Sequence, residues 1–339
     1  MTSASAAAAA TILFFGVTLY AVFGGADFGA GFWDLFAGGA ERGAEPRALA
    51  EHAIGPVWEA NHVWLVFSLV VLWTAFPSAF GALTLTLFVP LALAAIGIVL
   101  RGSGFAFRKV VLRVSRQRIF GATFAISSVI VPFSMGTIAG AIASGRVPAD
   151  GSGDHWSSWL NPTSLLGGVL AVTACAYLAA VYLVSDAKRI GDRHMQDYFR
   201  RRALGSALVA GAVAFAGIFV LHSDARYLFD HLTTQALPLV IVSAVAGLTA
   251  LVLLLRGNDL VARVAAASAV ATVIAGWGVA QWPYMLPQTL KIEDAAAPSG
   301  TLVAVFVVFG IAAVTVIPSL ILLYVLAQRN VFEPDVSGT

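Results

Sequence analysis

Charge is what this sequence has least of. Asp, Glu, Lys and Arg make up 11% of its 339 residues, while 59% are hydrophobic. A soluble domain carries about 25% charged residues, so the composition excludes a soluble domain of any size and points to an integral membrane chain. The formal net charge is only +2, which leaves no basic surface for nucleic acid and makes the position of each charge matter more than the balance. Cysteine is almost absent as well. The single Cys175 excludes an internal disulfide and any cysteine-ligated cluster held by this chain alone. The opening MTSASAAAAA lacks the basic stretch of a secretory signal, so the apolar run it leads into reads as a retained first helix. No period repeats convincingly along the chain, which gives no ground for an internal duplication.

What the sequence does have is a series of apolar runs, each close to the ~20 residues that a membrane span needs. They predict an all-α integral membrane protein, a nine-helix transmembrane bundle forming one domain over 1–339. The helices are expected near 7–33, 54–76, 79–100, 119–144, 163–185, 203–221, 236–255, 262–282 and 302–327, and they divide as four, four and one. With nine spans, seventeen of the twenty Lys and Arg residues fall on one side and Arg146, Arg226 and Lys291 on the other. The positive-inside rule then puts the N-terminus outside and the C-terminus in the cytoplasm. Removing one central helix would carry whole basic loops across the membrane and spoil this asymmetry, so nine spans fit better than eight.

An ionisable group at the middle of a spanning helix costs roughly 2.5–3.5 kcal/mol on insertion scales, and such groups usually face a bundle interior or a water path. Three stand out here. Asp27 lies late in the first helix within GGADFGAGFWD, and Glu59 and His62 lie early in the second within GPVWEANHVWLVFSLVVLWTAFP. The two helices run in opposite directions, so counting about 1.5 Å per residue puts all three at a similar depth in the cytoplasmic half, where they could share a pocket. Glu59 and His62 are three residues apart and so on one helical face. Gly24, Gly25, Gly29 and Gly31 leave the helix around Asp27 without bulk, open to another helix or to water, and plain helix packing is the alternative reading. For the charged trio the alternatives are a structural ion-pair network and proton traffic, since a carboxylate in apolar surroundings and a histidine beside it can exchange protons near neutral pH.

Two sharper chemistries fail on counting. Glu59-Ala60-Asn61-His62 has the Glu-x-x-His spacing of di-iron bundles, but those need a second such motif and two more glutamates. A bis-histidine haem needs two histidines at matching depth, whereas His52, His155, His194, His222 and His231 fall in loops or at helix ends. No complete haem or metal site is expected within the chain. The eight tryptophans fall mostly near predicted helix ends, as an interfacial belt would require.

Gly25-Ala26-Asp27-Phe28-Gly29-Ala30-Gly31, then Ile54-Gly55-Pro56-Val57-Trp58-Glu59-Ala60-Asn61-His62-Val63-Trp64-Leu65, then Ala75-Phe76-Pro77 together resemble subunit II of the cytochrome bd family of quinol oxidases. The likeness extends to Arg101 ending the third helix, to Ala176–Asp186 in the fifth, and to Trp282-Pro283-Tyr284 with Asp294-Ala295-Ala296 in the last outer loop. It implies a heterodimer in the bacterial cytoplasmic membrane. Subunit I would carry haems b and d, the oxygen site and the quinol-oxidising loop, while this chain binds no haem itself. Some family members hold a structural quinone in subunit II, and the resemblance leaves room for small accessory subunits beside membrane lipid.

The resemblance also implies that Glu59, with polar neighbours, belongs to a path bringing cytoplasmic protons toward the oxygen site. Glu59 is the expected carrier, then Asp27, then His62, with Asn61 orienting the carboxylate or a water and Trp58 and Trp64 packing the helix face. Glu59 stands where many relatives have aspartate, and His62 where some have glutamine or glutamate. Ala106 replaces an acid carried by many relatives, so any role of that acid is absent here. Two rivals remain open: a proton-coupled secondary transporter, which would work without a haem-bearing partner, and a purely structural assembly subunit.

Overall fold

The computed structural model describes residues 2–39, 41–55, 58–110 and 114–328. Pro56, Val57, Arg113 and Arg329 lie outside them, as do the side chains of 108–118. The chain opens with α1 (Thr2–Leu19), passes through a π-helical turn (Tyr20–Gly24) and continues without a break as α2 (Gly25–Leu35). Next come α3 (Ala44–Ile54), α4 (Trp58–Ala75), α5 (Pro77–Thr86), α6 (Phe88–Val110), α7 (Val114–Ala143), α8 (Pro162–Arg189) and α9 (Arg193–Asp224). The remainder is α10 (Arg226–Leu232), α11 (Leu237–Leu255), α12 (Asp259–Gln281), a two-stranded antiparallel hairpin of β1 (Tyr284–Leu286) and β2 (Leu290–Lys291), α13 (Ile292–Ala295) and α14 (Ser299–Gln328).

Among the described residues, eight helices are long and apolar enough to cross a membrane, and α3 with α4, bent by 55°, makes a ninth when taken as one span. The largest departure from the sequence reading is at the third helix. Instead of one helix over 79–100, the chain forms the short α5 and then α6, which runs on to Val110. Pro77 opens α5, where its missing N–H is not needed. Arg101 therefore does not end a helix or join a basic loop; it sits within α6 and is buried.

Local sequence explains most of the boundaries. Asn161 caps α8 by accepting from the Ser164 amide at 2.9 Å, and Asp192 caps α9 through the Met195 amide at 2.9 Å. The turns after α8 and α11 close at Gly191 and Gly257, with φ of 75° and 73°, a left-handed conformation that costs glycine little. The best-packed region joins α2, α6, α7, α8 and α9. Small residues make its close approaches possible. A Cβ on Gly29 would overlap the Cys175 carbonyl oxygen, and Gly136 and Gly167 face each other so that a Cβ on either would strike the other's carbonyl. At the opposite end, the hairpin and α13 pack on α1 and α5, and the Ala297 amide donates to Ala75 O at 2.8 Å.

Candidate functional site

Asp27 and Arg101 form the most deeply buried ion pair among the described residues, at 3% and 1% exposure. Four Arg101 N–H groups are used. Nη2 donates to Asp27 Oδ1 at 2.8 Å and to Asp27 O at 3.1 Å, Nη1 to Asp27 Oδ2 at 3.1 Å, and Nε to Ser128 Oγ at 3.0 Å. Ser128 in turn donates to Phe124 O at 2.7 Å. Phe28 and Phe124 each lie 4.7 Å from the guanidinium carbon, one ring from α2 and one from α7. A two-point carboxylate grip with further donors satisfied is the geometry in which a buried pair is tolerated. It ties α2 to α6 and α7, and it leaves neither Asp27 oxygen without a donor.

The two acidic candidates do not meet within the chain. Glu59 stands in the first turn of α4 with its side chain exposed, and among the described residues it has neither hydrogen bond nor ion pair. His62 turns the other way. Its Nδ1 lies 2.9 Å from Trp58 O, and because a carbonyl only accepts, Nδ1 is the donor there. The ring meets Tyr20 and Phe28 edge-on, both at 6.2 Å between centroids, and Trp58 at 6.1 Å. Phe28 thus touches both His62 and Arg101, and it links the histidine to the ion pair through one aromatic side chain.

Asn61 joins three elements of the chain. It is buried, its Nδ2 donates to Phe23 O at 3.3 Å, and its Oδ1 accepts from the Tyr324 hydroxyl. Phe23 lies in the π turn, where the widened helix spares a carbonyl, and Tyr324 stacks on Phe23 with centroids 5.2 Å apart. Asn61 therefore pins α4 to the first span and to α14. Trp58 packs on Phe105 at 5.2 Å, while Trp64 is buried against Phe15 and Phe67 and does not belong to an interfacial belt. The buried Tyr20 hydroxyl has no hydrogen-bond partner among the described residues.

Below the ion pair, a small hollow is lined by Ala30, Asp34, Arg47, Glu51 and Phe124. Arg47 Nε donates to Asp34 Oδ1 at 2.6 Å there. No group of three or more His, Cys, Asp or Glu side chains able to hold a metal occurs among the described residues. The sequence reading missed Arg101 as the partner of Asp27, together with Ser128, Phe28 and Tyr324. The apolar and small residues continuing from Arg101 to Phe107 could have placed that arginine inside a helix. Its partner, 74 positions earlier, leaves no local signal.

The sequence profile of the cytochrome bd terminal oxidase subunit II family matches residues 6–327. The chain is 27% identical over 241 residues to cytochrome bd ubiquinol oxidase subunit 2 of Bacillus subtilis (strain 168), covering 69% of this chain and 68% of that protein. It is 27% identical over 218 residues to cytochrome bd-I ubiquinol oxidase subunit 2 of Escherichia coli (strain K12), covering 61% and 55% respectively. In fold it resembles a chain of the bd oxidase from Geobacillus thermodenitrificans, with a TM-score of 0.76 and 23% identity, covering 98% of this chain and all of that one.

Proposed function

The chain belongs to the cytochrome bd terminal oxidase subunit II family, and on that premise we propose that it is the haem-free subunit of a quinol-oxidising, oxygen-reducing complex to which it contributes a cytoplasmic proton path. It is a multi-pass bacterial membrane protein of the respiratory chain. Family membership disfavours the transporter reading, because it supplies the haem-bearing partner a transporter would lack. The b and d haems of subunit I would supply electron transfer to oxygen. Within this chain, His62 has its Nδ1 committed to Trp58 O and its ring enclosed by aromatic side chains.

One observation carries the proposal. Glu59, Val63, Val66, Val70 and Trp73 are all exposed on α4 and recur at alternating steps of four and three. That spacing makes a straight seam for a neighbouring helix. An unpaired carboxylate facing lipid at the head of such a seam would be unfavourable. Covered by subunit I, the same carboxylate is available to take and pass protons at the subunit boundary. The last helix, α14, packs on α1 and α4 through contacts such as Phe309 on Phe67, and it leaves most of its apolar surface uncovered beside this seam.

In this arrangement Glu59 is the carrier. Asp27, with both carboxylate oxygens held by Arg101, would be a structural anchor of the site, and His62 would connect to that pair through Phe28. With the complex purified with its partner, Glu59→Gln is expected to lower turnover at least tenfold while haem content and assembly stay intact. Unchanged turnover would remove Glu59 from the mechanism. If Glu59 and His62 only fix assembly, replacing both by apolar residues of similar volume would preserve turnover.

A further inference from the structure

The basic end of the bundle, where α9 begins and α11 ends, holds more cations than its acids can match. Asp259, buried in the first turn of α12, takes Lys188 at 3.3 Å and Arg200 at 3.1 Å, and its Oδ2 also accepts from Gln196 at 2.8 Å. Asp186 takes Arg189 and Arg263, each at 3.4 Å. Arg202 lies over the Tyr198 ring at 3.3 Å. Arg201 and Arg256 are different: both are exposed, and neither has an acidic partner among the described residues.

The start of α9 and the end of α11 come together at this end of the bundle. Leu204 and Ala207 of α9 and Leu253 of α11 pack on the same buried cluster, which includes Ala203, Ala250 and Leu254. Arg201 precedes Leu204 by three residues and Arg256 comes three after Leu253, so each arginine lies one turn beyond the contact toward the same end of the bundle. The Arg200 guanidinium reaches to 4.0 Å from where a Cβ on Gly257 would be, which brings the start of α9 against the turn after α11. Away from this end, the surface becomes wholly apolar. Gly205, Leu208, Phe215 and Phe219 are exposed along the Arg201 side of α9, as are Leu248, Val252 and Leu255 on α11.

Two unmatched guanidinium groups above a long apolar rail fit a molecule with an anionic head and hydrocarbon tails. We propose that Arg201 and Arg256 bind the phosphate of an anionic membrane phospholipid whose acyl chains lie along α9 and α11. A guanidinium suits this because its fork of donors matches phosphate oxygens in two-point geometry. The lipid would seal the contact between α9 and α11, two spans that turn most of their surface outward.

The test uses the intact complex with its native partner, stripped of lipid in detergent and titrated with phosphatidylglycerol, with bound lipid counted by native mass spectrometry. A membrane-facing basic residue contributes about 1 kcal/mol toward anionic lipid. The Arg201→Ala/Arg256→Ala variant should therefore bind its tightest phosphatidylglycerol roughly 30-fold more weakly, and phosphatidylcholine should bind weakly to both proteins. Equal binding of phosphatidylglycerol by variant and parent would overturn the proposal. So would an equal loss in Arg42→Ala, which removes an exposed charge elsewhere on the chain. If the alanine pair fails to assemble, Arg201→Gln/Arg256→Gln keeps the length of the side chains and gives the same reading.

Discussion

The two sides of the first span differ in how completely the chain satisfies itself. Where α2 meets α6, α7 and α8, glycine lets backbones touch, the buried Asp27 carboxylate has a guanidinium gripping both its oxygens, and aromatic rings cover the pair. Where α1 meets α4 and α14, packing is thinner and a row of valines ending in Trp73 stands open, with Glu59 lacking a partner among the described residues. The first region is finished within one chain. On the function proposed above, the second would be half of an interface, its chemistry completed by the other subunit.

That contrast can be broken most severely at the ion pair. Arg101→Leu alone would strand the Asp27 carboxylate in the core, a loss of about 3–5 kcal/mol, and the yield of assembled complex on size-exclusion chromatography is expected to collapse. Asp27→Leu with Arg101→Leu removes both charges and should recover most of that yield together with turnover. A recovered complex without turnover would show Asp27 handling protons itself, and the contrast between the two sides would fail.

A smaller effect separates the glycines. Gly29→Ala forces a methyl group into the Cys175 carbonyl and is expected to cost about 1–3 kcal/mol of thermal stability, whereas Gly310→Ala on α14, with nothing within 4 Å of its Cβ, should leave the isolated chain unchanged. Equal losses at both sites would mean that α14 is as tightly held as α2.

The smallest expected effect lies in the loop between α7 and α8, outside both regions. The Ser157 and Trp156 amides and the Ser157 hydroxyl donate to Asp154 and hold its carboxyl below the ordinary carboxylate value. Because the folded value is the lower one, this contribution is present in full above the ordinary carboxylate value and is lost as pH falls through the lowered one. Amide exchange at Ser157, corrected for intrinsic rates, should therefore show constant protection from about pH 8 to about pH 5, a window that lies above the ordinary carboxylate range. A fall in protection across that window would contradict the hydrogen-bonded loop.

Apolar run lengths made the spans legible, because the bilayer fixes how long a helix must be whatever it packs against. The break at Leu87 was not legible, since α5 and the start of α6 are as apolar as a continuous span. Asp27, Glu59 and His62 could be singled out by their rarity, but depth along a helix says nothing about azimuth. Asp27 faces inward to Arg101 while Glu59 faces out, and only the packing of neighbouring helices decides between these directions. The same limit hid the seam on α4, because a helix apolar all round gives no sign of which apolar side is covered.

The π turn at Tyr20–Gly24 has a consequence for the whole first span. An added residue in one turn advances everything after it by about 100° around the helix axis, the angle of a single α-helical step. Before the turn the span packs on α4, α12 and α14; after it the span packs on α7 and α8. The turn works as a phase shifter within a single rod, aiming the half before it at the open side of the molecule and the half after it at the closed side. The coupling between the self-sufficient core and the open side is then set by the count of residues between Leu19 and Gly25, and a chain one residue shorter there would point Asp27 away from Arg101.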